Sequence, residues 1–204
     1  MKTLIAIPCT DMVPAPFAQS LATLNKEGEC LIAFLLGSLI YESRNDLAKQ
    51  AISRDCDYVM WFDSDMVFDA DVLTKMIRHM EDGKDIVTGL YFRRRPPFTP
   101  VLFKELNFED DVLHWVGFDD YPENEPFEVA GCGFGCVMLR KEVLLDVVLN
   151  YQTWFTPLAH AGEDIAFCVR ARELGYKIWC DPTIKLGHVG PQIFDEKVFK
   201  SINH

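Results

Sequence analysis

Four apolar runs in the first half of the chain, at residues 3–7, 30–36, 58–62 and 85–92, alternate with segments whose apolar positions recur every three or four residues. Runs this short and this continuous are those of strands buried on both faces, and the spacing between them is that of helices burying one side. Strand–helix alternation leaves one economical solution, an α/β fold with a mostly parallel central sheet flanked by helices. The first helix is expected over residues 14–26, ended at Gly28. Ser38 is expected to cap the second, with Ile40, Leu47, Ala48, Ala51 and Ile52 facing inward. Asp69 is expected to cap the third, which runs through Leu73, Met76, Ile77 and Met80 and stops at Gly83.

The pattern changes after residue 95. Short strands are expected at 99–103, 112–118 and 127–130, separated by acidic turns such as 107–111. A strand at 137–139, helices over 141–149 and from Glu163 to Gly175, and strands at 177–180 and 184–186 complete the reading. These pieces predict a small antiparallel second sheet in the C-terminal half, with the tail after Gly190 on the surface.

Composition removes several classes of function. The formal net charge of -11 disfavours binding to a phosphate backbone over most of the surface, so nucleic acid is not an expected partner. No stretch approaches the roughly 20 apolar residues of a membrane helix; the most apolar one, residues 30–41, is interrupted by Gly37-Ser38. Residues 3–7 read as a first core strand rather than as the apolar part of a signal peptide, because no small-residue cleavage site follows. The seven cysteines are odd in number and scattered. Cys132 and Cys136 flank Gly133-Phe134-Gly135, which is not a zinc spacing. Reduced, buried thiols in a cytoplasm are the expectation.

The third apolar run ends directly in Asp63-Ser64-Asp65. Ligands of open parallel sheets bind beyond the carboxyl ends of the strands. Residues i and i+2 of an extended segment point to one side, and two carboxylates aimed together need a cation or protons between them. Oxygen donors of this kind suit Mg2+ or Mn2+ bridging to phosphates. The bland alternative is a solvated turn leading into the helix at Asp69.

In order along the chain, Asp63-Ser64-Asp65 is preceded by Pro8-Cys9-Thr10 at the end of the first strand and by Ser43-Arg44-Asn45. It is followed by Ala130-Gly131-Cys132-Gly133-Phe134-Gly135, by Gly162-Glu163-Asp164 at a helix start, and by Gly187-His188. This succession, over about residues 3–190, resembles the GT-A-fold nucleotide-sugar glycosyltransferases of the family-2 kind. The resemblance implies a single Rossmann-like domain over 1–204, with a nucleotide-binding half (1–92), an acceptor and catalytic half (93–190) and a tail (191–204). It implies a nucleotide-sugar donor, UDP by default, and a glycan, protein or small-molecule acceptor. Pro8, Cys9, Thr10, Arg44, Asn45, Asp63, Ser64, Asp65 and Gly133 would hold the donor. Asp65 and His188 would ligate a Mn2+ or Mg2+ ion, with Asp63 facing the donor's ribose or sugar, or reaching the ion through water. Asp164 would be the base in an inverting member, with Glu163 on the acceptor; a retaining outcome stays open. Arg93-Arg94-Arg95 reads either as a solvated loop or as a mobile segment contacting the diphosphate or an anionic acceptor. Among the aromatics, Trp115, Trp154, Tyr91 and Phe134 are candidates for sugar stacking, Phe134 foremost.

Two rivals remain. Residues 58–67 also resemble the first motif of haloacid-dehalogenase-like phosphatases, with Asp63 as nucleophile, Asp65 as acid/base and Thr88, Lys104 and Asp119-Asp120 in later motifs. That motif normally ends the first strand, whereas here two strand–helix units precede it. The other rival is a donor- or glycan-binding module that has the fold without turnover.

Overall fold

The structure is a computed structural model that describes residues 1–37, 39–109, 112–190 and 193–203. Its elements are, in chain order, β1 (Lys2–Cys9), α1 (Ala15–Thr23), β2 (Glu29–Leu36), α2 (Ile40–Ser53), β3 (Tyr58–Phe62), β4 (Met66–Val67), α3 (Val72–Glu81), β5 (Ile86–Leu90), β6 (Leu102–Glu109), β7 (Val112–Gly117), β8 (Phe127–Val129), β9 (Gly131–Cys132), β10 (Cys136–Arg140), α4 (Lys141–Tyr151), α5 (Glu163–Glu173), β11 (Ile178–Lys185), β12 (Gly187–Val189), β13 (Ile193–Phe194) and α6 (Glu196–Asn203).

Side chains of a pleated strand alternate between its faces, so a strand apolar at every position must be covered twice. Leu4 and Ala6 of β1 enter one core while Ile5 and Ile7 enter the other. Val59 and Trp61 of β3 part from Met60 and Phe62 in the same way. One core is closed by α2, α4 and α5, and the other by α1 and α3. The central sheet has seven strands in the order β2-β1-β3-β10-β5-β11-β8. β2, β1, β3, β5 and β11 run one way; β10 and β8 run against them. The expected mostly parallel sheet is therefore present. The insertion of the antiparallel β10 between β3 and β5 has no counterpart in the local sequence pattern.

Several boundaries differ from expectation. α1 ends at Thr23, because Asn25 N–H leaves the helix to donate to Ala70 O at 2.8 Å. Gly28, with φ +67°, instead turns the chain into β2. β2 is an edge strand, not a buried one, and Ile32, Phe34 and Leu36 are exposed. Ser38, the expected cap of α2, lies outside the described residues, as do Asp110 and Asp111 of the acidic turn. Asp71 rather than Asp69 precedes α3, and it pairs with Lys75 one turn on at 2.9 Å. The strand expected at 127–130 is β8 of the large sheet, which ends at Val129, and Gly131 and Cys132 then pass as β9 into the antiparallel β7-β6-β9. The strands expected at 177–180 and 184–186 are one, β11, with an irregularity after Asp181. The tail forms β13 and α6, and Phe199 of α6 stacks on Phe92 with ring centroids 4.9 Å apart. Among the described residues no helix is long and apolar enough to cross a membrane.

The irregularity in β11 accommodates a buried polar tie. Asp181 Oδ2 lies 2.7 Å from His79 Nε2 of α3, and Asp181 Oδ1 accepts from Thr183 N and Oγ1 at 2.9 and 2.7 Å. Burial alone would raise the Asp181 carboxyl, but the bonds from His79 and Thr183 outweigh it and bring it down to about 2. The folded pKa is below the unfolded one, so this stabilisation is present above the ordinary carboxylate range and is lost as pH falls through about 2. Asp181→Asn should cost about 2 kcal/mol in urea unfolding at pH 7 and much less at pH 2; an equal loss at both would show that the charge contributes nothing.

Candidate active site

Two very short strands set the first half of the site. β4 follows the acidic triplet immediately, and β12 carries His188 opposite Met66. Val189 N–H also donates to Asp65 O at 2.7 Å. This pairing brings Asp65 Oδ2 to 3.4 Å from His188 Nε2. His188 Nδ1 lies 3.1 Å from the Phe92 carbonyl oxygen, which can only accept, so Nδ1 carries a hydrogen and Nε2 is the ring atom turned toward Asp65. With Nε2 free of a proton, the imidazole and the carboxylate are two donors that can share a cation. Cis ligands of an octahedral ion bound at 2.0–2.1 Å lie about 3.0 Å apart, close to the separation found. The two residues therefore fit a hard divalent ion as part of its ligand set. Among the described residues no three His, Cys, Asp or Glu side chains gather into a full protein cage. Arg94 Nη1 lies 2.9 Å from Asp65 Oδ2 and donates to Val189 O at 2.9 Å. Burial raises the Asp65 carboxyl, but His188 and Arg94 outweigh it and hold it below its usual value.

Asp63 has a different partner. Arg44 is 1% exposed, and its Nη2 donates to Asp63 Oδ1 at 2.7 Å while its Nε donates to Glu163 Oε1 at 3.3 Å. Arg44 reaches this position because residues 44, 47, 48 and 51 share the buried stripe of α2. Its guanidinium carbon lies 5.8, 5.3 and 6.0 Å from the ring centres of Trp61, Phe134 and Phe155. The triplet forms a turn rather than an extended segment, and its carboxylates diverge to separate arginines instead of pointing together. Asp164, half-buried at the start of α5, accepts from Ile165 N–H at 2.8 Å. Burial, and then the neighbouring Glu163 charge, push the Asp164 carboxyl up to about 6 against the pull of Arg44.

A cavity of about 340 Å³ is lined by Pro8, Cys9, Thr10, Gly37, Ile40, Ser43, Asp63, Ser64, Asp65, Arg94 and His188. A wider one of about 560 Å³ takes in Arg44, Tyr91, Arg93, Arg95, Phe134, Glu163 and Asp164, and shares Ile40, Asp63, Arg94 and His188 with the first. The two form one cleft at the carboxyl ends of β1 and β3. A hollow of about 510 Å³ beside Trp179 lies at the opposite ends of the strands, where Lys84 and Lys177 stand over that ring and Asp82 and Asp85 share the lining.

Three of the residues expected to hold a donor have partners within the protein. Asn45 Oδ1 accepts from Trp154 N–H and Phe155 N–H, so it braces the loop after α4 and does not line the cleft. Arg44 borders the wider cavity, but its guanidinium lies beneath the carboxylates and is paired with them. Gly133 and Gly135 make room for Tyr91: a β-carbon on either would stand 2.2 Å from the Tyr91 hydroxyl or 2.8 Å from its ring. Phe134 and Trp154 are core residues, Phe134 packing edge-on against Trp61, Phe155 and Phe167. Trp115 alone of the stacking candidates is exposed. Nothing local in the sequence marks Tyr91 as the reason for the glycines, whereas an arginine on an otherwise apolar helix stripe does signal Arg44 as a hub.

Removing one member of a buried ion network strands its partners. Arg44→Met should cost about 3 kcal/mol in denaturant unfolding, much of it regained when Asp63→Asn and Glu163→Gln are added; no recovery would mean that Arg44 acts by packing alone. Asp164 ionises less readily in the folded chain, so its penalty begins above the unfolded pKa and is complete above about 6. Asp164→Asn should therefore stabilise the protein more at pH 8 than at pH 4 by thermal melting, and equal shifts would contradict the raised pKa.

Residues 40–148 match the model of glycosyl transferase family 2. No curated protein matches the sequence. Among solved structures, A197 from STIV superposes with a TM-score of 0.66 at 20% identity, over 93% of this chain and 86% of that one. GalNAc-T7, in a crystal structure with UDP, GalNAc and Mn2+, gives a TM-score of 0.65 at 10% identity, over 94% of this chain and 44% of that one. At such identities the likeness is one of fold. The family match itself spans more than half of this chain, running from α2 through Arg44, the acidic triplet and Gly133 to α4, and on that ground the chain belongs to glycosyl transferase family 2 and is a glycosyltransferase.

Proposed function

We propose that the protein moves a sugar from a UDP-linked donor to an acceptor hydroxyl, using a Mn2+ or Mg2+ ion held by Asp65 and His188 and Asp164 as the base. The observation that carries this reading is the unbroken cleft, with a pair of metal-type donors at one end and a carboxyl of raised pKa at the other. The UDP and Mn2+ in the GalNAc-T7 structure support the same choice of donor and ion.

In this reading Pro8, Cys9, Thr10 and Ser64 enclose the nucleotide, and Arg94 turns from Asp65 to the diphosphate oxygens. The ion, when bound, supplies positive charge to the diphosphate as it leaves the anomeric carbon. Asp164 accepts the proton of the acceptor hydroxyl, and a carboxyl near 6 is ionised at neutral pH yet basic enough to do so. Glu163, fixed by Arg44, orients that hydroxyl, and Asp63, fixed by the same side chain, faces the donor's ribose or sugar. The chain acts as one domain. The phosphatase alternative loses support, since Thr88 is buried in β5 and donates to the Gly89 and Cys136 carbonyls instead of facing the cleft.

A screen of nucleotide-sugars by thermal shift should give a rise of about 5–10 °C for UDP-sugars with Mn2+ present and little without it. Asp65→Asn and His188→Ala should remove the metal-dependent part; equal shifts with and without the ion would overturn the metal assignment. Asp164→Asn should lower kcat about 10²- to 10⁴-fold with donor binding retained, and an undiminished rate would exclude Asp164 as the base.

A further inference from the structure

The three consecutive arginines after β5 are not equivalent. Arg94 lines both cavities and pairs with Asp65, whereas Arg93 and Arg95 line only the wider cavity that holds Glu163 and Asp164. One arginine therefore serves the donor end, and two face the place the acceptor would occupy. We infer that the acceptor is a saccharide bearing an anionic group, a carboxylate, phosphate or sulfate, which Arg93 and Arg95 bind. This rests on the proposed reading of the cleft as a donor-and-acceptor site.

The charges of the cleft have no internal use for these two side chains. Arg44 already answers Asp63 and Glu163 from below. Arg95 is exposed, and its side chain makes no hydrogen bond or ion pair among the described residues. Arg93 sits over rings instead of a carboxylate, its guanidinium carbon 5.9 Å from the centre of Phe103 and 5.1 Å from that of Trp115. A chain of net charge -11 repels anions over most of its surface, so two uncompensated cations at the mouth of an acidic cleft favour an anionic acceptor over a neutral one. The loop that bears them is held and not splayed: Arg93 N–H donates to Thr99 O at 3.0 Å and Phe98 N–H to Arg95 O at 2.9 Å. The saccharide part of the inference comes from Trp115, which lies beyond the cavity lining at its Arg93 edge, is 51% exposed, packs edge-on against Phe103 and has the Arg93 guanidinium over one side of its ring. An aromatic face next to a fixed cation suits a sugar ring that carries a charge.

The test uses the full chain loaded with UDP and Mn2+ and a panel of oligosaccharides that are neutral or carry uronate, phosphate or sulfate. At least one charged class should be retained, with affinity falling as salt is added, and neutral members should not be. Arg95→Ala should weaken retention about tenfold, Arg95→Glu further, and R93A with R95A together further still, while UDP affinity in the presence of Mn2+ stays the same. The three charged classes identify which anion is read. Retention of neutral glycans as strong as of charged ones, retention of none, or retention indifferent to Arg95→Ala would each overturn the inference. Loss of UDP binding in the unaltered protein would instead overturn the donor reading, and the acceptor inference with it.

Discussion

A guanidinium almost wholly removed from water is the constraint on which the cleft depends. Arg44 could not stay charged at that depth without anions in contact, and Asp63 and Glu163 could not be held at fixed angles without a common cation. Its other contacts are ring faces, which accept a cation without needing a counter-charge. Trp61 comes from β3, Phe134 from the glycine-bordered segment and Phe155 from the loop after α4. One side chain thus measures the position of several separate parts of the chain, and it links Asp63 at the end of β3 to Glu163 at the start of α5. Whatever perturbs either carboxylate is felt by the other through Arg44.

The two aspartates of the triplet are solved electrostatically in different ways. Asp63 has a permanent counter-ion, sealed under it. Asp65 has an exchangeable one, since Arg94 is 44% exposed and shares its contact with the neighbouring imidazole. A carboxylate whose partner can leave is free to take another cation; a carboxylate whose partner is buried is not. Asp164 has neither arrangement to itself, and burial together with the Glu163 charge keeps its proton on up to about pH 6.

Most of the framework was legible because buried strands and one-sided helices write their periods into the sequence. The end of β3 could be placed, and with it the acidic triplet at the carboxyl end of the sheet. What was not legible depended on direction or on distant pairing. Arg44 and Asn45 are adjacent, yet successive helical residues diverge by about 100°, so one enters the site and the other braces a loop. Gly133 invited a ligand-binding reading, but its missing side chain is filled by Tyr91 from another strand. The place of β10 between β3 and β5 arises from contacts across the whole chain, which no local window contains.

The contact between β4 and β12 joins residues from opposite halves of the chain over only two paired positions. Closing so long a loop for so few hydrogen bonds costs chain entropy that the pair itself scarcely offsets. This corner should therefore assemble late in folding, after the large sheet has fixed both ends, and open first when the native state fluctuates. Because Asp65 and His188 meet nowhere else, the geometry of that corner exists only while the loop is shut. An ion bridging the two would act on the chain as a removable cross-link, tying the last strands to the body of the protein.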